Sequence, residues 1–298
     1  MNKYLGIPII IAFFLGYKFP FVALDLSKFA FYSLILMMTL ALLPVSISSF
    51  KEIQIKKREI VFTILTLYLF TPLVQWILCK LFIKDSALFY GTFFASLCPI
   101  AIVAPQFTKQ HEGNAQLSTI TLIISLILFP FVSLVYLSKL TDNAIAIQLK
   151  PLFLDMLIVT FLPILIAGML NKLIPSLKER IKSIAFPINM LLIAFMSFAY
   201  FGASMSKLSI AYTPYKEIIS IIVILLIQDF ITYFIAKKAF NNIFDIADTK
   251  AIAISISMKN VAMCGAVLLF YDPKASLASA LGFLVHSLFY SYLLNKKY

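Results

Sequence analysis

The sequence predicts an all-helical protein that crosses a membrane many times. Three observations indicate this fold class: 62% of the 298 residues are hydrophobic, only 13% are charged, and the mean hydropathy is +0.98. A soluble domain needs more polar residues than this to cover its surface. The apolar runs contain prolines and glycines and do not alternate polar with apolar residues, which indicates a bundle of helices instead of a barrel.

Ten apolar runs in the sequence are each about 20 residues long, the length that a helix needs to cross the hydrocarbon core. They lie near residues 4–20, 29–49, 59–79, 86–107, 117–138, 151–171, 183–205, 217–236, 251–270 and 275–294. We expect them to form a single transmembrane domain over residues 1–298. The first run has no small-residue cleavage site and is followed by further runs, so we expect a retained helix and not a signal peptide.

The lysines and arginines lie mainly in the short loops between these runs, and more of them fall on the side of the two termini. The positive-inside rule therefore predicts a multi-pass protein of the plasma (inner) membrane with both termini in the cytoplasm. The net charge of +12 is explained by the lysines and arginines of these loops, so it does not indicate a nucleic-acid partner. Membrane lipid is the expected surroundings of the helices.

The two halves of the chain resemble each other. A shift of 158 residues aligns Arg58-Glu59-Ile60 with Lys216-Glu217-Ile218, and Lys80 with Lys238. The repeats would cover about residues 1–145 and 146–298, with five spans each. Because five is an odd number, the two halves would lie in opposite orientations, as an inverted repeat.

The fourth and ninth spans occupy matching places in the two halves, and both are expected to be broken. Pro99 and Pro105 interrupt the fourth span, while a serine-rich stretch and Gly265 weaken the ninth. Proline removes a backbone donor and clashes with the preceding turn. Two broken helices in inverted halves would cross near the midplane of the membrane. Ordinary proline kinks without a site are the alternative.

Lys259 lies near the middle of the ninth span, about 14 Å deep at 1.5 Å per residue if the segment enters the bilayer near Lys250. A cation at this depth usually faces a cavity, a carboxylate or a ligand. The alternative is that the lysine reaches the interface because the span is misplaced by several residues. Of the carboxylates within spans, Asp155 is expected near an interface, whereas Asp229 lies near mid-depth. A pair of Lys259 with Asp229 would either respond to protonation or be a static structural pair.

Short motifs along most of the chain resemble the bile acid:sodium symporter family. Cys98-Pro99 is similar to the start of that family's Cys-Pro-Gly-Gly broken helix. It is followed by Gly113-Asn114 and Leu117-Ser118, which match the family's Gly-Asn/Asp-x-x-Leu-Ser. Met258-Lys259-Asn260 resembles the family's Met-Gln-Asn crossing segment, and His286-Ser287 resembles its His-Asn pair. The resemblance implies a panel of helices 1, 2, 6 and 7 against a core of helices 3 to 5 and 8 to 10.

The family's sodium ligands are largely replaced in this sequence. The corresponding positions are Leu67, Ala104, Pro105, Ser118, Leu122, Ser255 and Lys259. Sodium needs several oxygen ligands, and the crossing has no carboxylate. We therefore expect neither a sodium site nor another metal or cofactor, and Lys259 would stand in for the cation of the family.

The resemblance implies secondary active or facilitative transport by alternating access. Lys259 favours a small organic anion as substrate, and the replaced sodium ligands predict that transport is independent of sodium. The candidate substrate-binding residues are Lys259, Asn260, Gln106, His286 and Ser287, and the candidate coupling residues are Lys259 and Asp229. Asn260 and Gln106 would bind a carboxylate or hydroxyl group, or would only cap the broken helices. His286 would contact substrate, or would only hydrogen-bond a neighbouring helix.

Other functional classes fit the sequence less well. A membrane sensor or partner-binding protein that kept the transporter fold is the rival, but the loops are short for docking a partner. Cys79, Cys98 and Cys264 have no metal or redox spacing, and no catalytic constellation is present, so we expect no enzyme. Protons are a possible coupling ion, and the sequence leaves the oligomeric state open.

Overall fold

The computed structural model describes residues 6–43, 56–140, 149–174, 176–208 and 215–295. Within these ranges the chain is helical, without a named strand, and has one isolated bridge between Ile100 and Lys259. The helices are α1 (Gly6–Lys18), α2 (Pro20–Leu42), α3 (Lys57–Phe82), α4 (Ser86–Leu97), α5 (Ala104–Gln110), α6 (Ala115–Leu140), α7 (Leu149–Leu173), α8 (Leu177–Lys207), α9 (Tyr215–Phe240), α10 (Ile246–Ser257), α11 (Val261–Leu268) and α12 (Leu277–Asn295).

Seven helices of the described ranges are long and apolar enough to cross a membrane, namely α2, α3, α6, α7, α8, α9 and α12. Helices α1 and α4 are apolar but shorter. Large hydrophobic side chains cover the outer surface: Phe21 is 71% exposed and Leu191 is 72% exposed. A surface of this kind suits contact with lipid and not with water. The chain is therefore a multi-pass membrane protein.

Two predicted span boundaries differ from the structure. The second apolar helix begins at Pro20 instead of near residue 29, because a 3-10 turn at Ser27–Phe29 joins two helical segments into one. The seventh predicted span, 183–205, belongs to a longer helix that begins at Leu177. The start of the first span, the end of the second and the repeat boundary near residue 145 lie outside the described residues.

The fourth and ninth predicted spans are each divided into two helices. Helix α4 ends at Leu97 and α5 begins at Ala104, so Pro99 falls in the interruption and Pro105 lies in the first turn of α5. Helix α10 ends at Ser257 and α11 begins at Val261. Met258 has an extended backbone, with φ −95° and ψ 97°. The second interruption consists of Met258, Lys259 and Asn260, and thus contains no proline.

Helices α3 and α9 each contain one turn of π-helix, at Thr66–Phe70 and Ile227–Ile231. Such turns are uncommon and are frequently found at functional sites, because they displace the backbone from its regular ladder. The first contains Leu67, and the second contains Asp229. Both residues belong to the site described below.

An ion pair and a hydrogen bond join three helices at the end of the molecule where α3 begins. Asp248 on α10 accepts hydrogen bonds from Lys56 Nζ at 2.6 Å and from Asn114 Nδ2 at 2.9 Å. The hydrogen bond to Asp248 raises the pKa of Lys56 above its ordinary value of 10.5. The stabilising effect of this shift is therefore present at neutral pH and is lost only as the pH rises through the raised pKa.

Candidate functional site

The two interruptions cross and pair through their backbones. Ala101 N donates to Met258 O at 2.7 Å, and Asn260 N donates to Pro99 O at 2.8 Å. Inside a membrane, backbone groups freed from a helix must find partners within the protein. Each interruption supplies those partners for the other, in an antiparallel bridge between Ile100 and Lys259.

Two side chains from neighbouring helices hold this crossing from outside. Ile100 N donates to Ser125 Oγ on α6 at 3.1 Å. His286 on α12 places its Nε2 atom 2.9 Å from the carbonyl oxygen of Lys259. The crossing is therefore fixed against α6 and α12 as well as internally.

The Lys259 side chain is enclosed by the protein, with only 1% of the residue exposed. Its ammonium donates to Leu67 O at 3.1 Å and to Thr71 Oγ1 at 3.2 Å, both on α3. It also lies 6.0 Å from the centre of the Tyr68 ring. The alternative in which Lys259 reaches an interface is wrong, since its ammonium ends among buried groups of α3.

Asp229 lies against His286, and the structure describes no hydrogen bond or ion pair between Asp229 and Lys259. The Asp229 Oδ2 and His286 Nδ1 atoms are 2.5 Å apart, and both residues are buried. Asp229 Oδ1 has no hydrogen-bond partner. His286 thus stands between the predicted partners, with one ring nitrogen at Asp229 and the other at the backbone of Lys259.

The positions that correspond to sodium ligands lie around the crossing, but few of them have a side-chain oxygen that could bind a cation. Ser118 Oγ and Ser255 Oγ are 2.9 Å apart and bond to each other. Ala104 and Leu122 are buried apolar residues, and Pro105 is half-buried at the start of α5. The carbonyl of Leu67 accepts from the Lys259 ammonium. Among the described residues, no group of three or more His, Cys, Asp or Glu is arranged to hold a metal ion.

A cavity of about 810 Å³, measured with its open mouth, lies beside the crossing. Ile9, Met37 and Met190 on α1, α2 and α8 form one wall, and the crossing and α12 form the other. The polar residues that line it are Asn189, Lys259, Asn260, His286 and Ser287. The structure thus brings four of the five predicted substrate-binding residues to one cavity, although the ammonium of Lys259 donates its hydrogen bonds to α3. Gln106 is exposed on α5 and does not line the cavity.

Asn189 was not predicted from the sequence. It lies on α8, across the cavity from the crossing, and its buried Oδ1 atom has no hydrogen-bond partner. Asn260 in turn has Met38 Sδ, 3.4 Å away, as the partner of its Nδ2 atom. Asn189 could have been noticed in the sequence because it is an amide residue inside an apolar span. The pattern of neighbouring residues does not show whether its side chain faces the cavity.

Hydrogen bonds join α7 and α8 to the segment between α11 and α12, at the opposite end of the molecule from the start of α1 and the end of α12. Tyr271 donates from its hydroxyl to Asp155 Oδ2 on α7 at 2.8 Å. Ser204 on α8 donates to Pro273 O at 2.7 Å and lies 3.1 Å from Ser276 Oγ. Asp155, which was expected near an interface, thus joins α7 to the segment between α11 and α12.

Comparison with protein-family models gives one match, described as Sodium Bile acid symporter family, over residues 31–211. The chain belongs to the sodium bile acid symporter family. Members of the sodium bile acid symporter family are transporters and not enzymes, which supports the expectation that this chain is not an enzyme. No curated protein matches the chain. The match covers the interruption at Pro99 and ends before Asp229, Lys259 and His286. The backbone pairing at the crossing joins the segment of Lys259 to the matched part of the chain.

Proposed function

We propose that this chain is a secondary transporter that moves a small organic anion by alternating access and does not use sodium. Lys259 takes the place of the family's cation. The observation that carries the proposal is the buried ammonium of Lys259 at a backbone-paired crossing, beside a cavity between two groups of helices. Membership of a transporter family is the second support.

The proposed architecture is ten membrane helices in two inverted repeats. Two features support it: the interruptions pair with each other across the two halves, and the helices that precede them, α3 and α9, each carry a π-turn. Helices α1, α2, α7 and α8 would form the panel, and the remaining helices the core. Both termini are proposed to be cytoplasmic, in the plasma (inner) membrane.

We base the proposed replacement of sodium by an ammonium group on the residues found at the family's sodium-ligand positions. An ammonium has three donors and no acceptor, and here two of them point at Leu67 O and Thr71 Oγ1. A metal cation at that carbonyl would meet a fixed positive charge. Ser118, the one position that keeps a ligand oxygen of the family, is hydrogen-bonded to Ser255. The local chemistry therefore favours a permanently attached cation over a dissociable one.

The charge around the cavity favours an anionic substrate. No Asp or Glu is among its described lining residues, whereas Lys259 is. Helix α11 also begins at the cavity, and the start of a helix carries partial positive charge. Most of the remaining lining is apolar, so the substrate is proposed to be a monocarboxylate-like anion with an apolar body. Asn189, Asn260 and Ser287 would supply hydrogen bonds.

The test is binding and uptake with purified protein. Thermal stability is measured across a panel of organic carboxylates and sulfonates, with and without sodium, followed by uptake of the strongest binder into proteoliposomes. A ligand raises the apparent stability of the form that it binds. We expect anion-dependent shifts that sodium leaves unchanged, and a loss of affinity of about tenfold or more in Lys259→Gln, which is about 1.4 kcal/mol.

The matched control is Lys109→Gln, because Lys109 is exposed at the end of α5. It removes the same charge outside the cavity and should leave affinity unchanged. Unaltered binding and uptake in Lys259→Gln would contradict the assigned role. Binding without uptake in the unmodified chain would favour a sensor that keeps the transporter fold.

A further inference from the structure

We infer that Asp229 and His286 together form the proton-binding site that couples transport to a proton gradient. The backbone carbonyl of Lys259 links this pair to the crossing. The inference rests on the proposed function and deepens it, since it names the coupling ion and the residues that hold it. It also assigns His286 a coupling role in addition to its place in the cavity wall.

The pair is built from two rigid elements. Asp229 lies in the π-turn of α9, is 0% exposed and points Oδ2 at His286 Nδ1, 2.5 Å away. His286 lies in the middle of α12 and is 4% exposed. Its second ring nitrogen, Nε2, is 2.9 Å from the carbonyl oxygen of Lys259.

This geometry requires two hydrogens. A carbonyl oxygen can only accept, so the hydrogen bond to Lys259 requires a proton on His286 Nε2. The short contact between Nδ1 and Asp229 Oδ2 requires a second proton, carried by either atom. The pair is therefore either imidazolium with carboxylate or neutral imidazole with carboxylic acid. Both descriptions have zero net charge and hold the same number of protons.

Loss of one proton changes both the charge and the contacts of the pair. The products are a neutral imidazole, a carboxylate and a free proton. If the remaining imidazole hydrogen stays on Nδ1, a lone pair faces the Lys259 carbonyl and that hydrogen bond is lost. If it stays on Nε2, a lone pair faces the Asp229 carboxylate instead. Either way, one end of the link between α9 and the crossing is broken.

Loss of this proton would also affect the charged and titratable groups around the pair. Lys259 contributes the charge that acts on both members, and its own hydrogen-bond partners are uncharged groups of α3. The net negative charge of the deprotonated pair would attract that ammonium away from α3. Tyr290 is a further titratable neighbour, and its ring stacks on His286 with centroids 6.1 Å apart.

An uncharged neighbour of the pair lies beside a smaller cleft. Gln228, next to Asp229, is buried, and neither of its amide atoms has a partner. It lines a smaller cleft between α3 and α9, to which α3 contributes Thr71 and Gln75. Asp229 Oδ1 is also without a partner. Bound water in this cleft would satisfy the amide of Gln228.

The consequence for transport is a fixed stoichiometry. One proton bound by the pair would accompany each monovalent anion, so the two charges cancel and uptake would not respond to membrane potential. A gradient of one pH unit would accumulate the anion up to about tenfold, because one pH unit corresponds to 1.36 kcal/mol.

The experiment uses proteoliposomes loaded with a pH-sensitive dye, and the strongest-binding anion of the panel as probe. Sulfonates are preferred probes because they do not carry protons through lipid by themselves. The unmodified chain should accumulate the probe about tenfold with an inward gradient of one pH unit and should acidify the lumen as the probe enters. Asp229→Asn should still bind and exchange the probe but should lose both gradient-driven accumulation and acidification.

The control is Asp25→Asn, which removes an exposed carboxylate on α2 and should keep both properties. Anion transport with unchanged proton coupling in Asp229→Asn would overturn the inference while leaving the proposed function intact. Failure of the unmodified chain to transport any anion would overturn both.

A second measurement needs no ligand and does not depend on transport. A pH jump followed by infrared difference spectroscopy should show the bands of a carboxyl or imidazole group that changes protonation, and these bands should be absent from Asp229→Asn and His286→Gln. A purely structural pair would show no such bands in the unmodified chain, and this outcome would overturn the inference.

Discussion

At the scale of single residues, the hydrogen bond between Lys259 and Thr71 can be tested by substitution. Thr71→Val removes the hydroxyl acceptor and nearly preserves shape. Because hydrogen bonds to charged groups contribute about 1.5–3 kcal/mol, we expect a loss of stability of this order and weaker binding of the anion. The measurement is thermal or denaturant unfolding of the purified protein in detergent.

Thr63→Val is the matched control for this substitution. Thr63 is buried on the same helix, and its hydroxyl bonds only to the carbonyl of Glu59 within that helix. Its replacement should have a clearly smaller effect and should leave anion binding unchanged. Equal effects of the two substitutions would show that the ammonium gains nothing from Thr71.

The residues of the site could be predicted from the sequence better than their contacts could. A lysine in the middle of an apolar span indicates a functional position whatever surrounds it, and Lys259 is indeed buried. Asp229 was found by the same reasoning, but its partner is His286 and not Lys259. Depth along a helix follows from residue number, whereas the direction in which a side chain points depends on the π-turn around Asp229, which has no sequence signal.

At the scale of helices, the close approach of α4 to the 3-10 turn Pro273–Ser276 has a specific requirement for glycine. A Cβ atom added at Gly91 would lie 2.1 Å from the carbonyl oxygen of Ala275, which is backbone and cannot rotate away. We expect Gly91→Ala to destabilise the protein by about 1–3 kcal/mol, the usual range for overpacking. Thermal unfolding of the purified variant measures this.

Gly168→Ala is the corresponding control. Gly168 lies within α7, and a Cβ atom there would meet nothing within 4 Å. Because alanine is favoured over glycine inside a helix by about 0.5–1 kcal/mol, this variant should be neutral or slightly more stable. A comparable loss of stability in both variants would indicate that the contact of α4 with Ala275 is not what constrains position 91.

The interruptions were the part of the helical structure that sequence indicated best, and for different reasons in the two halves. Pro99 and Pro105 cannot lie in a regular helix without cost, so the first break follows from residue type. The second contains no proline, and only its matching position, its serines and Gly265 suggested it. What the sequence does not encode locally is the pairing of Ala101 with Met258, because that contact joins segments far apart in the chain.

At the scale of the whole molecule, two hydrogen bonds between the groups of helices lie at one end of the described structure. Helices α1, α2 and α8 face the crossing across a cavity, whereas Tyr271–Asp155 and Ser204–Pro273 join the walls at the end away from the termini. In an alternating-access transporter, such contacts stabilise the state that is closed at that end. Weakening them should shift the population towards the state that is open there.

The double variant Tyr271→Phe with Ser204→Ala removes two such hydrogen bonds. At about 1 kcal/mol each, their loss would change the ratio of the two states by up to about 30-fold. A cysteine at Ile193, which lines the cavity on α8, reports the change through its labelling by an impermeant maleimide. The native cysteines Cys79, Cys98 and Cys264 are all buried and can be replaced beforehand. Labelling from the side away from the termini should become faster in the double variant.

Ser138→Ala serves as the control, because Ser138 lies near the same end of α6, is exposed and bonds only to the carbonyl of Val135. It should leave the sidedness of labelling unchanged. If the double variant also labels as the unmodified chain does, these contacts do not hold the walls together. Losing a contact favours the state in which that contact is absent. If labelling instead increases from the side of the termini, these contacts belong to the state that is closed on that side, and the assignment of the open and closed ends is wrong.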